Sequence, residues 1–108
     1  MLSSVDSFCI PSNIEEIEDF GIFNSKFRNI IIGKNVKKIG IRSIAQNFIL
    51  ESIVFKDSKI KVFPEGAFHR NINLRSIVVP NSLTTLKSEV FRDCHMLQDI
   101  ELSNTNII

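Results

Sequence analysis

Apolar residues fall in pairs two apart along the whole chain: Phe8 and Ile10, Ile30 and Ile32, Ile53 and Phe55, Ile77 and Val79, Ile100 and Leu102. Alternation of this kind predicts five short strands with one buried face. Each pair is preceded by an apolar residue at a fixed place: Val5, Phe27, Leu50, Leu74 and Leu97, which are 22, 23, 24 and 23 residues apart. A second apolar pair follows each of the first four strands, three residues apart: Ile14 and Ile17, Val36 and Ile39, Ile60 and Phe63, Leu83 and Leu86. A bulky residue comes five places later, as Ile22 or Phe23, Ile44, Phe68 and Phe91. Three sets of positions in one register across four copies mark an array of stacked coils. Repeat three carries one extra residue before Ile60, and repeat one is short between Phe23 and Phe27. The wider spacing after each strand predicts a short helical or irregular return.

The residues between the inward strand positions face out: Cys9, Ile31, Val54, Val78 and Glu101, flanked by Ser7, Asn29, Ser52, Ser76 and Asp99. Stacking places successive strands side by side in a parallel sheet, about 4.7–4.9 Å apart. Past each strand stand Pro11, Gly33, Lys56, Pro80 and Ser103, then Asn13, Asn35, Ser58, Ser82 and Thr105, side chains able to satisfy turn backbone. The same stacking sets Glu15 over Lys37 and Glu16 over Lys38, a charge order that favours this register.

The best-formed copy spells Leu74, Ile77, Pro80, Leu83, Leu86, Phe91 and Cys94. Ala67-Phe68 and Ile10-Pro11 supply pieces of others. This wording resembles the BspA-like class of leucine-rich repeats over essentially the whole chain. Repeat two departs from it, with Gly33 for the proline and Ser43-Ile44 for Ala-Phe, and only Cys94 fills the cysteine place. The expected fold is therefore α/β: a short horseshoe segment of leucine-rich repeat solenoid with one parallel sheet. It forms one domain over 1–108, with coils at 5–26, 27–49, 50–73 and 74–96 and a partial coil at 97–108. The fifth coil is incomplete and neither end carries a polar cap, so the chain is expected to be a piece of a longer array, or to associate end to end with a second copy. The resemblance implies protein binding, often as a secreted or surface adhesin of bacteria and parasitic protists.

Composition narrows the alternatives. A formal charge of +1 gives no global field for nucleic acid or an anionic membrane. Residues 26–42 hold Lys26, Arg28, Lys34, Lys37, Lys38 and Arg42 with no acid among them. The coil before them is acidic and no aromatics interleave, so no nucleic-acid partner is expected. No run approaches the about 18 apolar residues of a membrane span. Residues 1–20 lack a basic segment ahead of an apolar one and contain Glu15, Glu16, Glu18 and Asp19, so no export signal is expected. That favours a cytoplasmic scaffold or regulatory repeat as the alternative to a surface protein.

Candidate chemistry is sparse. His69 and His95 occupy different places in their repeats, and His95 beside Cys94 lacks the spacing of a metal site. Cys94 is expected to pack at the coil edge, His95 to be solvated, and Cys9 to be a free thiol on the sheet face. No glycine-rich phosphate loop or calcium loop occurs. No catalytic, cofactor or metal residues are assigned, and an enzyme is not expected. The assigned surface is the outward sheet face, Ile31, Val54 and Val78 with Asn29, Ser52, Ser76, Asp99 and Glu101, as a contact for protein partners. Strand propensity alone is the competing account of its Ile and Val.

Overall fold

In a computed structural model, which describes residues 6–101, the chain winds into stacked coils built from short strands. The first leg of each coil is β1 (Ser7–Cys9), β4 (Asn29–Ile32), β7 (Ser52–Phe55), β9 (Ser76–Val78) and β11 (Asp99–Glu101). These form one parallel five-stranded sheet in the order β1-β4-β7-β9-β11. Its register is the repeat register: Phe8 pairs with Ile30, Ile30 with Ile53, Ile53 with Ile77, and Ile77 with Ile100. Val5, Leu102, Ser103, Thr105, Ile107 and Ile108 lie outside the described residues, as does the side chain of Glu101.

The return is extended or irregular, the second of the two alternatives expected for it. Among the described residues there is no α-helix. The second leg holds β2 (Glu16–Ile17), β5 (Lys38–Ile39), β8 (Val62–Phe63) and β10 (Thr85–Leu86), and the third holds β3 (Ile22–Phe23) and β6 (Ile44–Ala45). They pair in parallel as β2-β5, β8-β10 and β3-β6, so three two-stranded ladders join the main sheet.

Two left-handed residues per coil turn the chain tightly enough to make extended returns possible. They are Phe20, Arg42, Gly66 and Glu89, then Asn24, Gln46, Arg70 and Asp93, all with φ between 50° and 61°. Both sets repeat with the coil. Only Gly66 meets that conformation without Cβ strain. One further left-handed residue, Asp57 (φ 56°), sits where repeat three is a residue longer. There the Ile60 N–H is bonded by Ser58 Oγ (3.3 Å), whereas Ile14 and Leu83 bond back to proline carbonyls at 3.1 Å.

The core is the stack of inward side chains: Ile30, Ile53 and Leu74 at 0% exposure, Ile77 at 1%, with Phe63 and Phe68 at 0%. Phe68 meets Phe63 edge-on at 4.8 Å and stacks on Phe91 at 5.6 Å. At repeat one, Ile22 turns inward and Phe23 outward. Leu86 and Ile100, expected inside, are 40% and 39% exposed. Leu86 lies in coil four and Ile100 in the partial coil after it, and among the described residues no strand pairs with the far side of either.

Candidate functional site

The outward sheet row is less open than alternation alone suggests. Cys9 and Asp99 are exposed, but Ile31, Val54 and Val78 are half-buried. Each has a residue of the same row in the adjoining strands, Cys9, Ile31, Val54 and Val78 being directly paired in series. Neighbours about 4.8 Å away cover the flanks of each side chain and leave its tip in water. The flanking polar row is bonded to itself: Asn29 Nδ2 donates to Ser7 Oγ (3.3 Å), and Ser52 Oγ donates to Asn29 Oδ1 (2.6 Å). Ser76 is half-buried, and with Val78 and Asp99 it borders a depression of about 460 Å³ beside β9 and β11. Arg28 flanks the row with Glu51 at 3.2 Å and Asp6 at 3.7 Å. The face is thus an open row of half-buried apolar side chains beside a hydrogen-bonded polar border.

The second leg bears out the stacked charges. Lys37 lies 3.9 Å from Glu15 and Lys38 lies 3.8 Å from Glu16. All four are largely solvated, so each pair is worth about 0.2–1 kcal/mol. Turn side chains act as expected: Asn35 Nδ2 donates to Ser12 O (2.9 Å) and Ser82 Oγ to Ile60 O (2.6 Å).

A buried amide ladder escaped the sequence reading. Asn71 Nδ2 donates to Ile44 O (2.8 Å) and Phe68 O (3.0 Å), while its Oδ1 accepts the Asn47 N–H (2.9 Å). Asn47 repeats the arrangement one coil earlier, with Nδ2 on Ile22 O (3.0 Å) and Oδ1 accepting the Ser25 N–H (2.8 Å). Cys94 takes the same place one coil later and donates from Sγ to Phe68 O (3.1 Å). The signal was available: Asn47, Asn71 and Cys94 each stand three residues before the strand-start leucine. Burial pushes the Cys94 thiol up to about 11, which favours the protonated form that donates to Phe68 O.

His69 and His95 both approach Asp93, at 4.0 Å each. Beside them Glu89 contacts Arg42 (3.9 Å) and Arg92 (2.9 Å). The His69 side chain is 12% exposed, and its Nδ1 is buried without a hydrogen-bond partner. Burial, then the Arg42 charge, lowers its pKa against the opposing pull of Asp93. His95 is 70% exposed, as expected. Among the described residues no group of three or more His, Cys, Asp or Glu is placed to hold a metal ion. No helix among them is long and apolar enough to cross a membrane.

Comparison with known proteins agrees with this architecture. The family model described as BspA type leucine rich repeat region matches residues 1–108, in six copies. A crystal structure of a leucine-rich repeat protein from Eubacterium ventriosum superimposes with a TM-score of 0.76 at 22% identity, covering 90% of this chain and 32% of that one. A leucine rich cell surface protein from Faecalibacterium prausnitzii gives 0.66 at 22% identity, covering 91% of this chain and 32% of that one. The chain therefore spans about a third of either neighbour. No curated protein matches it.

Proposed function

The chain belongs to the BspA-type leucine-rich repeat family, and from that premise we propose that it is a non-enzymatic module that binds proteins through the outward face of its five-stranded sheet. The observation that carries the reading is the in-register row of Ile31, Val54 and Val78, with tips in water and a hydrogen-bonded polar border. Extended solenoid faces of this kind suit contact with a partner surface. Asn29, Ser52, Ser76 and Asp99 form the polar rim of the contact, and Glu101 continues the row of Val78 in the backbone register. A cell-surface setting accords with the description of the Faecalibacterium neighbour as a cell surface protein.

Peptides selected by display against the chain provide the test. Val54→Asp with Val78→Asp should leave the circular dichroism spectrum unchanged and weaken selected binders by about tenfold or more, equivalent to about 1.4 kcal/mol. Unchanged affinity across all of them would rule the sheet face out. End-to-end association of copies would run through Leu86 and Ile100, and sedimentation at rising concentration tests it.

A further inference from the structure

The second leg is continuous between coils one and two and between coils three and four, but not between coils two and three. At the first junction Lys37 N–H donates to Glu15 O (2.7 Å) and Gly40 N–H to Ile17 O (2.8 Å). At the third, Thr84 N–H donates to Lys61 O and Lys87 N–H to Phe63 O, both at 2.9 Å. The residue that takes the place of Gly40 and Lys87 in coil three is Pro64, which has no N–H to give. Among the described residues no backbone hydrogen bond joins 37–40 to 61–64. The main sheet and the third leg stay joined across the same junction, the latter through Arg42 N–H to Glu65 O (3.2 Å) and Ile44 N–H to Ala67 O (3.0 Å).

The open junction forms a groove of about 460 Å³. Lys37, Lys38, Lys59 and Lys61 rim it, and Ile39, Val62 and Pro64 line its floor. Lys59 and Lys61 make no ion pair among the described residues, and the acids Glu15 and Glu16 lie beyond Lys37 and Lys38, in coil one. Val62 is the odd residue of the leg. Its place is taken by Glu16, Lys38 and Thr85 in the other coils, yet here an apolar side chain stands 39% exposed.

We propose that this groove is a second binding site, distinct from the sheet face, for an acidic peptide segment that carries an apolar residue between carboxylates. The lysine rim supplies the charge complement. Val62 and Pro64 supply the apolar contact, and the free Ile39 carbonyl can accept a peptide N–H. The rim carries no aromatic or arginine on which a base would stack, and the floor carries no aromatic face for a sugar ring.

Fluorescence anisotropy on the whole chain tests this, with labelled peptides of alternating Glu and Leu, of Glu alone and of alternating Lys and Leu, plus a heparin fragment and a single-stranded DNA oligomer. The Glu–Leu peptide should bind most tightly, and its affinity should fall as salt rises. Lys59→Glu with Lys61→Glu should weaken it by about tenfold or more, while Lys26→Glu with Arg75→Glu, on the first leg and outside the groove lining, leaves it unchanged. Val62→Thr should abolish the preference for Glu–Leu over Glu alone without changing the salt dependence. Tighter binding of heparin or DNA than of the Glu–Leu peptide would overturn the proposal. So would an equal loss in the two charge-reversal pairs, or no binding of the peptide to the wild-type chain.

Discussion

Two junctions on the same leg of the winding close in different ways. Between coils one and two, backbone bonds run from Lys37 and Gly40 to the coil before, and two acid–lysine pairs lie over them. Between coils two and three the backbone bonds are missing, Pro64 stands where a donor is needed, and lysine faces lysine. Both junctions nevertheless keep the coil register. Main-chain pairing on the second leg is therefore dispensable, the first and third legs staying bonded across both junctions. On that leg the coils keep their order through the buried stack: Ile17 and Ile39 at the first junction, and Val36 and Ile39 against Ile60 and Phe63 at the second, all 5% exposed or less. Gly40 shows that the tight junction is also the more demanding one, since a Cβ there would meet the Asp19 backbone nitrogen at 2.6 Å.

Removing core from coil three, which borders the open junction, should have the largest effect. Phe68→Ala deletes a ring in contact with Phe55, Phe63 and Phe91 and should cost about 3–5 kcal/mol in denaturant melts. A loss under about 1 kcal/mol would mean that the ring is not core. Asn71→Ala comes next. It strips the donor from Ile44 O and Phe68 O and the acceptor from the Asn47 N–H, at about 1–3 kcal/mol. Its signature is raised hydrogen exchange at Asn47.

Pro64→Ala turns the open junction toward the closed one. The new N–H should bond Ile39 O, worth about 0.5–1.5 kcal/mol, offset by the freer unfolded chain. The amide of residue 64 should then be protected from exchange. Glu15→Lys with Glu16→Lys makes the first junction resemble the second in charge, and should lower stability by about 0.2–1 kcal/mol per pair, less in high salt. The smallest effect belongs to pH. His69 has its pKa lowered on folding, so its neutral form is favoured in the fold. Its contribution is full above the unfolded value of about 6.5 and is lost as pH falls from there toward the folded one. The melting temperature should drop more between pH 7.5 and 5.5 in the wild type than in His69→Gln.

How much of this was legible depends on where each residue's partners lie. The coil register could be read directly, because Ile30, Ile53 and Ile77 must each bury the same face. The glutamate–lysine pairs followed from that register alone. The half-burial of Val54 did not, since it comes from Ile31 and Val78 in the neighbouring strands and not from its own alternation. Asn47 and Asn71 are invisible to the hydrophobic pattern, because their amides are polar and amides favour turns. Only the coil geometry reveals that they point inward and bond carbonyls up to 27 residues away. Pro64 was plainly without a donor in the sequence. Its consequence needed the knowledge that the N–H at that place in the coil faces the preceding one.

The central claim is that one register of buried side chains stacks the coils, whether or not the second legs pair. Backbone nuclear Overhauser effects on the isotope-labelled chain test it most directly. Cross-strand contacts should link Phe8, Ile30, Ile53, Ile77 and Ile100 in that order, and be present between Ile17 and Ile39 but absent between Ile39 and Phe63. Contacts from Ile53 to any strand other than those of Ile30 and Ile77, or an antiparallel pattern between them, would contradict the account.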